Sequence, residues 1–375
     1  MSAAPAHPPF SQRLGATLSN SFRARRLTLD GLDTSEIKEA AAKHEEHEAR
    51  EPKARSRKMS LSPEMTSRWA PSAQAAEELF PKTVVGTFSC HGTEPSRRPG
   101  APAAKINQDR GMVSYPFAGN DAAALFACFD GHGLSGDSCS QFVANTLQAL
   151  LEDHPALFEE PERALKETFV RVDELLEGQA TIETSSSGTT ATVVLLIEGT
   201  LYTACVGDSR AVIASNGRRK GQVVARDLSR DHKPDLPDEH ARIKKRGGFV
   251  SPPEDWGGPA RVYLDPHFTA PGLAMSRSIG DHAVKRIGVT AEPEVTTHKL
   301  TADDAFLVIA SDGVWEFLAS DVVATLVAPL LAKGGATVAC TKLIERATAE
   351  WRKEEGDYRD DITALVIKLP CLPTT

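Results

Sequence analysis

The sequence lacks any C-x-x-C pair, and none of its six cysteines stands beside a histidine at zinc-ligand spacing. The usual signatures of a cysteine-held metal are therefore missing. Cys128 and Cys205 lie inside apolar runs, where a free thiol packs as a small hydrophobe, so a reducing compartment without a disulfide frame is expected. No apolar run approaches the length of a membrane span, and no signal-peptide core follows the start. The second residue is Ser2, which removes the N-myristoylation pattern. No G-x-S-x-G elbow occurs, which disfavours a serine hydrolase; Ser276 and Ser278 read as strand and turn residues. No repeat of fixed period is visible. Lys and Arg do not outnumber the acids, and a net charge of -8 argues against nonspecific nucleic-acid binding.

What is present is enough for one large core: 375 residues, 41% of them hydrophobic. Residues 1–80 are rich in Pro, Ala, Ser and charge, and are expected to be mostly a disordered extension. A solvated helix within 34–57 is conceivable, limited by Pro52, and basic runs precede Thr28 and Ser60. Residues 1–29 hold no Asp or Glu but include Arg13, Arg23, Arg25 and Arg26. A disordered basic tail is the preferred reading there, with an organelle transit peptide as the alternative. Residues 81–370 form the expected folded domain and 371–375 a short tail. A monomer in the cytoplasm or nucleus is the expectation.

Strands are expected at 84–89, in the apolar run 122–129, and in a meander over 190–197, 201–206, 210–215 and 222–225. Glu198-Gly199, Gly207-Asp208-Ser209 and Asn216-Gly217 supply its turns. Further strands are expected at 305–311 and 362–369, and helices at 138–152, 161–177, 319–331 and 335–353. Strands and helices come in blocks, which predicts an α+β domain with antiparallel sheets.

Several acids stand at the edges of apolar strands. Asp130 ends AALFACF, Asp208 sits in a turn, Asp312 ends AFLVIAS, Asp360 and Asp361 open ITALVIKL, and Asp109 precedes GMVSY. A lone Asp-Gly is usually a turn. Together, however, carboxylates that converge repel one another unless a cation neutralises them, and oxygen-only ligands select Mg²⁺ or Mn²⁺ over Zn²⁺. His132, between two glycines directly after Asp130, is the natural proton donor to a leaving alkoxide.

At this point the sequence resembles the PPM family of metal-dependent phosphatases, the PP2C type. The matching segments are NQD (107–109), FDGHG (129–133), SGTTA (187–191), GDSRAV (207–212), DHKPDLPDE (231–239), AMSRSIGD (274–281), SDGVWEF (311–317) and RDDITALV (359–366). They run in the family's order over about 84–369. The resemblance implies a β-sandwich of two antiparallel sheets flanked by helices. It also implies serine/threonine phosphatase activity on phosphoproteins, by attack of a water or hydroxide bridging two Mg²⁺ or Mn²⁺ ions. By position, Asp130 bridges the metals, the Gly131 carbonyl binds one, and Asp312 and Asp360 complete the ligands. Asp109 supports the site, Asp208 matches a weaker third metal, and His132 matches the general acid. Two positions depart from the family. Ala104 stands where many members carry a phosphate-gripping Arg, leaving Lys105 beside it as the candidate phosphate ligand. Asp361 stands where many carry Asn, as a carboxylate that either tightens cation binding or stays solvated.

Two rivals are weighed. GHGLSG (131–136) fits G-x-G-x-x-G after a strand, as in a dinucleotide-binding fold, but leaves Asp208, Asp312 and Asp360 unexplained. A catalytically weak or inactive PP2C-like binding module is the alternative, prompted by Ala104. The loop 249–270 lies where the family has its variable flap; Trp256, Arg261 and Tyr263 either shape substrate choice or form an ordinary surface loop.

Overall fold

The computed structural model describes residues 80–95, 102–219, 221–253, 258–269 and 272–372. The expectations for residues 1–79 (the extension, the 34–57 helix, Thr28, Ser60 and the 1–29 segment) lie outside the described residues, as does Trp256.

Ten strands carry the architecture. They are β1 (Val85–Cys90), β2 (Arg110–Ser114), β3 (Ala123–Phe129), β4 (Ala191–Ile197), β5 (Thr200–Val206), β6 (Arg210–Asn216), β7 (Val223–Asp227), β8 (Glu294–Lys299), β9 (Asp304–Ala310) and β10 (Ile362–Lys368). They form two five-stranded sheets, ordered β1-β10-β9-β6-β7 and β8-β5-β4-β3-β2. Every pairing within them is antiparallel. The apolar runs are continuous because both faces of the inner strands are covered. In β3, Leu125, Ala127 and Phe129 pack under helices α1 (Gly136–Glu152) and α2 (Pro161–Glu177). The alternate residues Ala124, Phe126 and Cys128 meet Ile213, Leu307, Ile309 and Leu365 of the other sheet. That sheet's outer face (Val212, Val308, Ala364, Val366) is covered by α4 (Ser320–Glu355). The result is the expected α+β sandwich, layered helix, sheet, sheet, helix.

The turns follow their residues. Glu198 and Gly199 both take positive φ (47° and 75°), the geometry of a two-residue hairpin between β4 and β5. Asn216-Gly217 does not make the tight turn it suggests. Asn216 still pairs with Val223, and the Gly217 amide donates to the Gln222 carbonyl across a longer loop. Helix α4 unites the two expected helices, with its backbone broken at Gly335 (φ 81°, ψ -178°). There Ala336 and Thr337 donate amides to the carbonyls of Thr83 and Lys82. By length and composition α4 is apolar enough to cross a membrane, contrary to the reading that no run approaches that length. Its apolar residues Val323, Val327, Ala339 and Leu343 are spent on the core under the sheet.

Of the longer elements, two went unread. Helix α3 (Pro237–Lys245) begins with Pro237, Asp238 and Glu239 and ends with Lys244 and Lys245, a helix-start and helix-stop pattern hidden inside a motif. Strand β8 is a polar edge strand, half exposed and without an apolar run. The GHGLSG rival fails on topology: β3 lies between antiparallel partners, not in a parallel crossover. Phe80 at one end is buried between the sheets, and Cys371 and Leu372 at the other pack against the same core.

The layering predicts where truncation hurts. Phe126→Ala, between the sheets, should cost about 3–5 kcal/mol in urea unfolding, whereas Phe88→Ala, 41% exposed, should cost less than about 0.5 kcal/mol.

Candidate metal centre

The strand registers bring the acids to one end of the sandwich. Asp109 precedes β2 and Asp130 follows β3, and Arg110 lies opposite Phe129. Asp312 follows β9 and Asp360 precedes β10, with Ala310 opposite Ala364. Asp208 lies in the turn between β5 and β6, where Arg210 pairs with Ala310. Their charges feel one another. Removal from water raises Asp130 well above the usual carboxylate range, and Asp109, Asp312, Asp360 and Asp208 push it further. Asp312 is raised by burial and then by Asp208 and Asp360. Burial lifts Asp109 to about 7, against hydrogen bonds from Ser311 and Thr363.

The acids converge without closing: among the described residues, no three His, Cys, Asp or Glu side chains are drawn in to metal-ligand spacing. Two lysines pair with Asp208 and Asp360 instead. Lys233 Nζ lies 2.6 Å from Asp208 Oδ2, and Lys105 Nζ lies 2.7 Å from Asp360 Oδ1. Burial pushes Asp208 up, but Lys233 outweighs it and the carboxyl sits below its ordinary value. The donors nevertheless suit a hard cation. They are all oxygens, and Asp109 Oδ1 and Asp208 Oδ1 are buried with no hydrogen-bond partner. Mg²⁺ or Mn²⁺ fits that set.

Asp361 is neither solvated nor aimed at this cluster. Its Oδ1 accepts the Gly92 amide at 2.5 Å and its Oδ2 the Gln108 amide at 2.9 Å. It fastens the NQD loop and the loop after β1 to the start of β10, so that of the pair it is Asp360, held by Lys105, that joins the acidic cluster. The turn opening at Asp312 (Asp312–Trp315) is equally fixed. A side chain at Gly313 would overlap the Asp361 carbonyl, and Trp351 Nε1 donates to the Gly313 carbonyl at 2.7 Å. Gly131 is as tightly set, since a Cβ there would meet the backbone oxygens of Gly136 and Gln108.

His132 stands beside this cluster with Nε2 2.7 Å from Asp281 Oδ2, while its Nδ1 is buried without a partner. Burial pulls the imidazole down, but Asp281 outweighs it and holds the ring above the ordinary histidine value. Asp281 in turn sits at φ 52° and donates its amide to the Ser187 carbonyl. Ser276, earlier in the same segment, is buried in a bend and bonds Glu239 and the His232 carbonyl, not in a strand.

Comparison with known proteins bears on this arrangement. The family model described as "Protein phosphatase 2C" matches residues 103–356. This chain belongs to the protein phosphatase 2C family. It is 35% identical over 283 residues to "Probable protein phosphatase 2C 35" of Arabidopsis thaliana, covering 71% of this chain and 79% of that one. It is 37% identical over 269 residues to "Probable protein phosphatase 2C 64" of Oryza sativa subsp. japonica, covering 70% and 62%. In fold it resembles a serine-threonine phosphatase 2C from Toxoplasma gondii (TM-score 0.63, 21% identity, 75% of this chain and 98% of that). It also resembles a C. elegans sex determining protein (TM-score 0.58, 22% identity, 76% and 64%). The chain is thus a serine/threonine protein phosphatase, and its substrates are phosphoproteins. The binding-module alternative gains no support from these matches.

Two participants of this phosphatase's site went unassigned in the sequence. Lys233 and Asp281 both lie inside matched segments, DHKPDLPDE and AMSRSIGD. Gly280-Asp281 is a turn-like dipeptide, a signal too common to single out. Ala104 sits exposed in a two-residue strand (Ala103–Ala104) paired with Thr93–Glu94. Of the flap residues, Arg261 and Tyr263 lie in the hairpin Phe249–Ser251 and Arg261–Tyr263, with Tyr263 packed on Phe268 at 5.0 Å.

Asp361→Ala strands the buried Gly92 amide and the half-buried Gln108 amide. It should lower stability by about 2–4 kcal/mol in chemical denaturation, while Asp361→Asn, which keeps an acceptor oxygen, should recover part of that loss.

Proposed function

We propose that this phosphatase hydrolyses phosphoserine and phosphothreonine esters by direct attack of water, without a covalent phosphoenzyme, at a divalent-cation centre. The observation that carries the reading is the convergence of Asp109, Asp130, Asp208, Asp312 and Asp360 beside an imidazole held above its ordinary pKa. Asp130, the Gly131 backbone, Asp312 and Asp360 would hold two Mg²⁺ or Mn²⁺ ions. Asp109 would support them and Asp208 would serve a weaker third. Bound there, the cations supply an acidified water and offset charge on the phosphoryl oxygens.

The chain's own residues do the rest. Asp281 keeps its charge and fixes the His132 ring through Nε2, so the transferable proton is carried at Nδ1. That proton neutralises the departing serine or threonine alkoxide, whose own basicity otherwise makes it a poor leaving group. Lys105, anchored on Asp360, offers the substrate phosphate a point charge without the two-pronged grip of an arginine.

Phosphate release from a phosphothreonine peptide, measured with Mg²⁺ or Mn²⁺ and with a chelator, tests the centre. Turnover should vanish on chelation, and Asp130→Asn should reduce it by about a thousandfold or more. Full turnover in the presence of chelator would falsify the reading. Asp281→Asn should slow phosphothreonine hydrolysis about a hundredfold but slow p-nitrophenyl phosphate much less, because a nitrophenolate leaves without help. Equal losses on both esters would remove His132 and Asp281 from leaving-group protonation.

A further inference from the structure

Among the described residues, the two most exposed large apolar side chains are Leu134 at 84% and Ile106 at 74%; the next, Val224, is at 54%. Isolated surface hydrophobes are ordinary, but these two share a place. Ile106 lies in the loop before Asp109, and Leu134 lies two residues beyond His132. Gln108 joins the two loops: its carbonyl accepts the Gly131 amide at 3.2 Å, and its Nε2 donates to the Gly133 carbonyl at 2.8 Å. The proton donor is thus bracketed by one residue, with an apolar side chain standing out on either side of the bracket.

Neither side chain is exposed because its loop is slack. Around Ile106, the Lys105 amide donates to the Gly92 carbonyl and Asn107 Nδ2 donates to Ser89 Oγ. The Gln108 amide donates to Asp361. Around Leu134, the Gly133 carbonyl is taken by Gln108, and the Ser135 amide donates to Ser187 Oγ at 3.1 Å. Residues on each side are fixed, so the two side chains are held in water on the loops that carry Asp109 and His132. Covering them is favourable, and a peptide whose phosphoresidue reaches His132 crosses both loops.

We infer that Ile106 and Leu134 form an apolar rim that selects phosphopeptides carrying a large aliphatic or aromatic side chain beside the phosphoresidue. The inference rests on the phosphatase reading above. It commits to substrate, because the rim is continuous with the catalytic loops and not with a remote face.

The test uses two phosphothreonine peptides, identical except for Leu or Ser on both sides of the phosphothreonine, with p-nitrophenyl phosphate as a substrate too small to span the rim. The wild-type chain should favour the Leu peptide about fivefold in kcat/KM, mostly through KM. Ile106→Ser combined with Leu134→Ser should abolish the preference. Leu134→Glu alone should turn it toward a peptide with Lys at those positions, which keeps the idea testable if the double variant folds poorly. Equal kcat/KM for both peptides in the wild type, or a Leu preference surviving in the double variant, overturns the rim. A wild type that hydrolyses neither peptide nor p-nitrophenyl phosphate with Mg²⁺ or Mn²⁺ overturns the phosphatase reading, and the rim with it.

Discussion

Carboxylates gathered out of water repel one another, and one end of this sandwich is organised around containing that repulsion. Two like charges about 4 Å apart cost about 4 kcal/mol at the effective dielectric of a protein surface, more than a single neutral hydrogen bond returns. The chain meets the cost with opposite charge on two of the acids and a hydroxyl donor on a third. Lys233 and Lys105 take Asp208 and Asp360. Ser311 donates to Asp109 at 2.7 Å. What remains is concentrated on Asp130 and Asp312, both raised well above the usual range. A divalent cation relieves that remainder, which is why the same residues that burden the fold equip the site.

Such a cluster persists only on a rigid frame. The inner strands are apolar on both faces because helices cover one side and the opposing sheet the other. Strand ends packed this way have little room to separate. The loops they carry are then locked by single side chains acting twice: Asp361 on two amides, Gln108 on both sides of His132. Trp351 extends the frame outward, joining α4 to the turn that opens at Asp312.

The parts legible in the sequence were those written in local pattern. Apolar runs located β3, β4, β9 and β10, and helical spacing located α1 and α2. An Asp beside three of those runs, after β3, after β9 and before β10, marked acids now found at one end. Partners set by tertiary contact were not legible. Lys233 meets Asp208 across 25 positions, and Asp281 meets His132 across 149. Asp361 looked like a second metal-side carboxylate, because nothing local announces that two distant amides consume its oxygens. Strand β8 was invisible for a related reason: an edge strand with one wet face needs no apolar run. Asn216-Gly217 misled in the other direction, since a strong turn dipeptide yields to the loop that the β6–β7 register requires.

The order of strands has a consequence for synthesis. Strand β10, last in the chain, lies between β1 and β9, and it is the partner through which β1 joins its sheet. The sheet of β2, β3, β4, β5 and β8 uses only residues up to Lys299. On a ribosome, that sheet and its two helices have all their strands before the chemistry does. Asp360 and Asp361 emerge later, and the Gly92 and Gln108 loops have no acceptor until they do. Until β10 is inserted, β1 has no partner in its sheet, Asp360 is missing from the acidic cluster, and the two loops have nothing to fasten them.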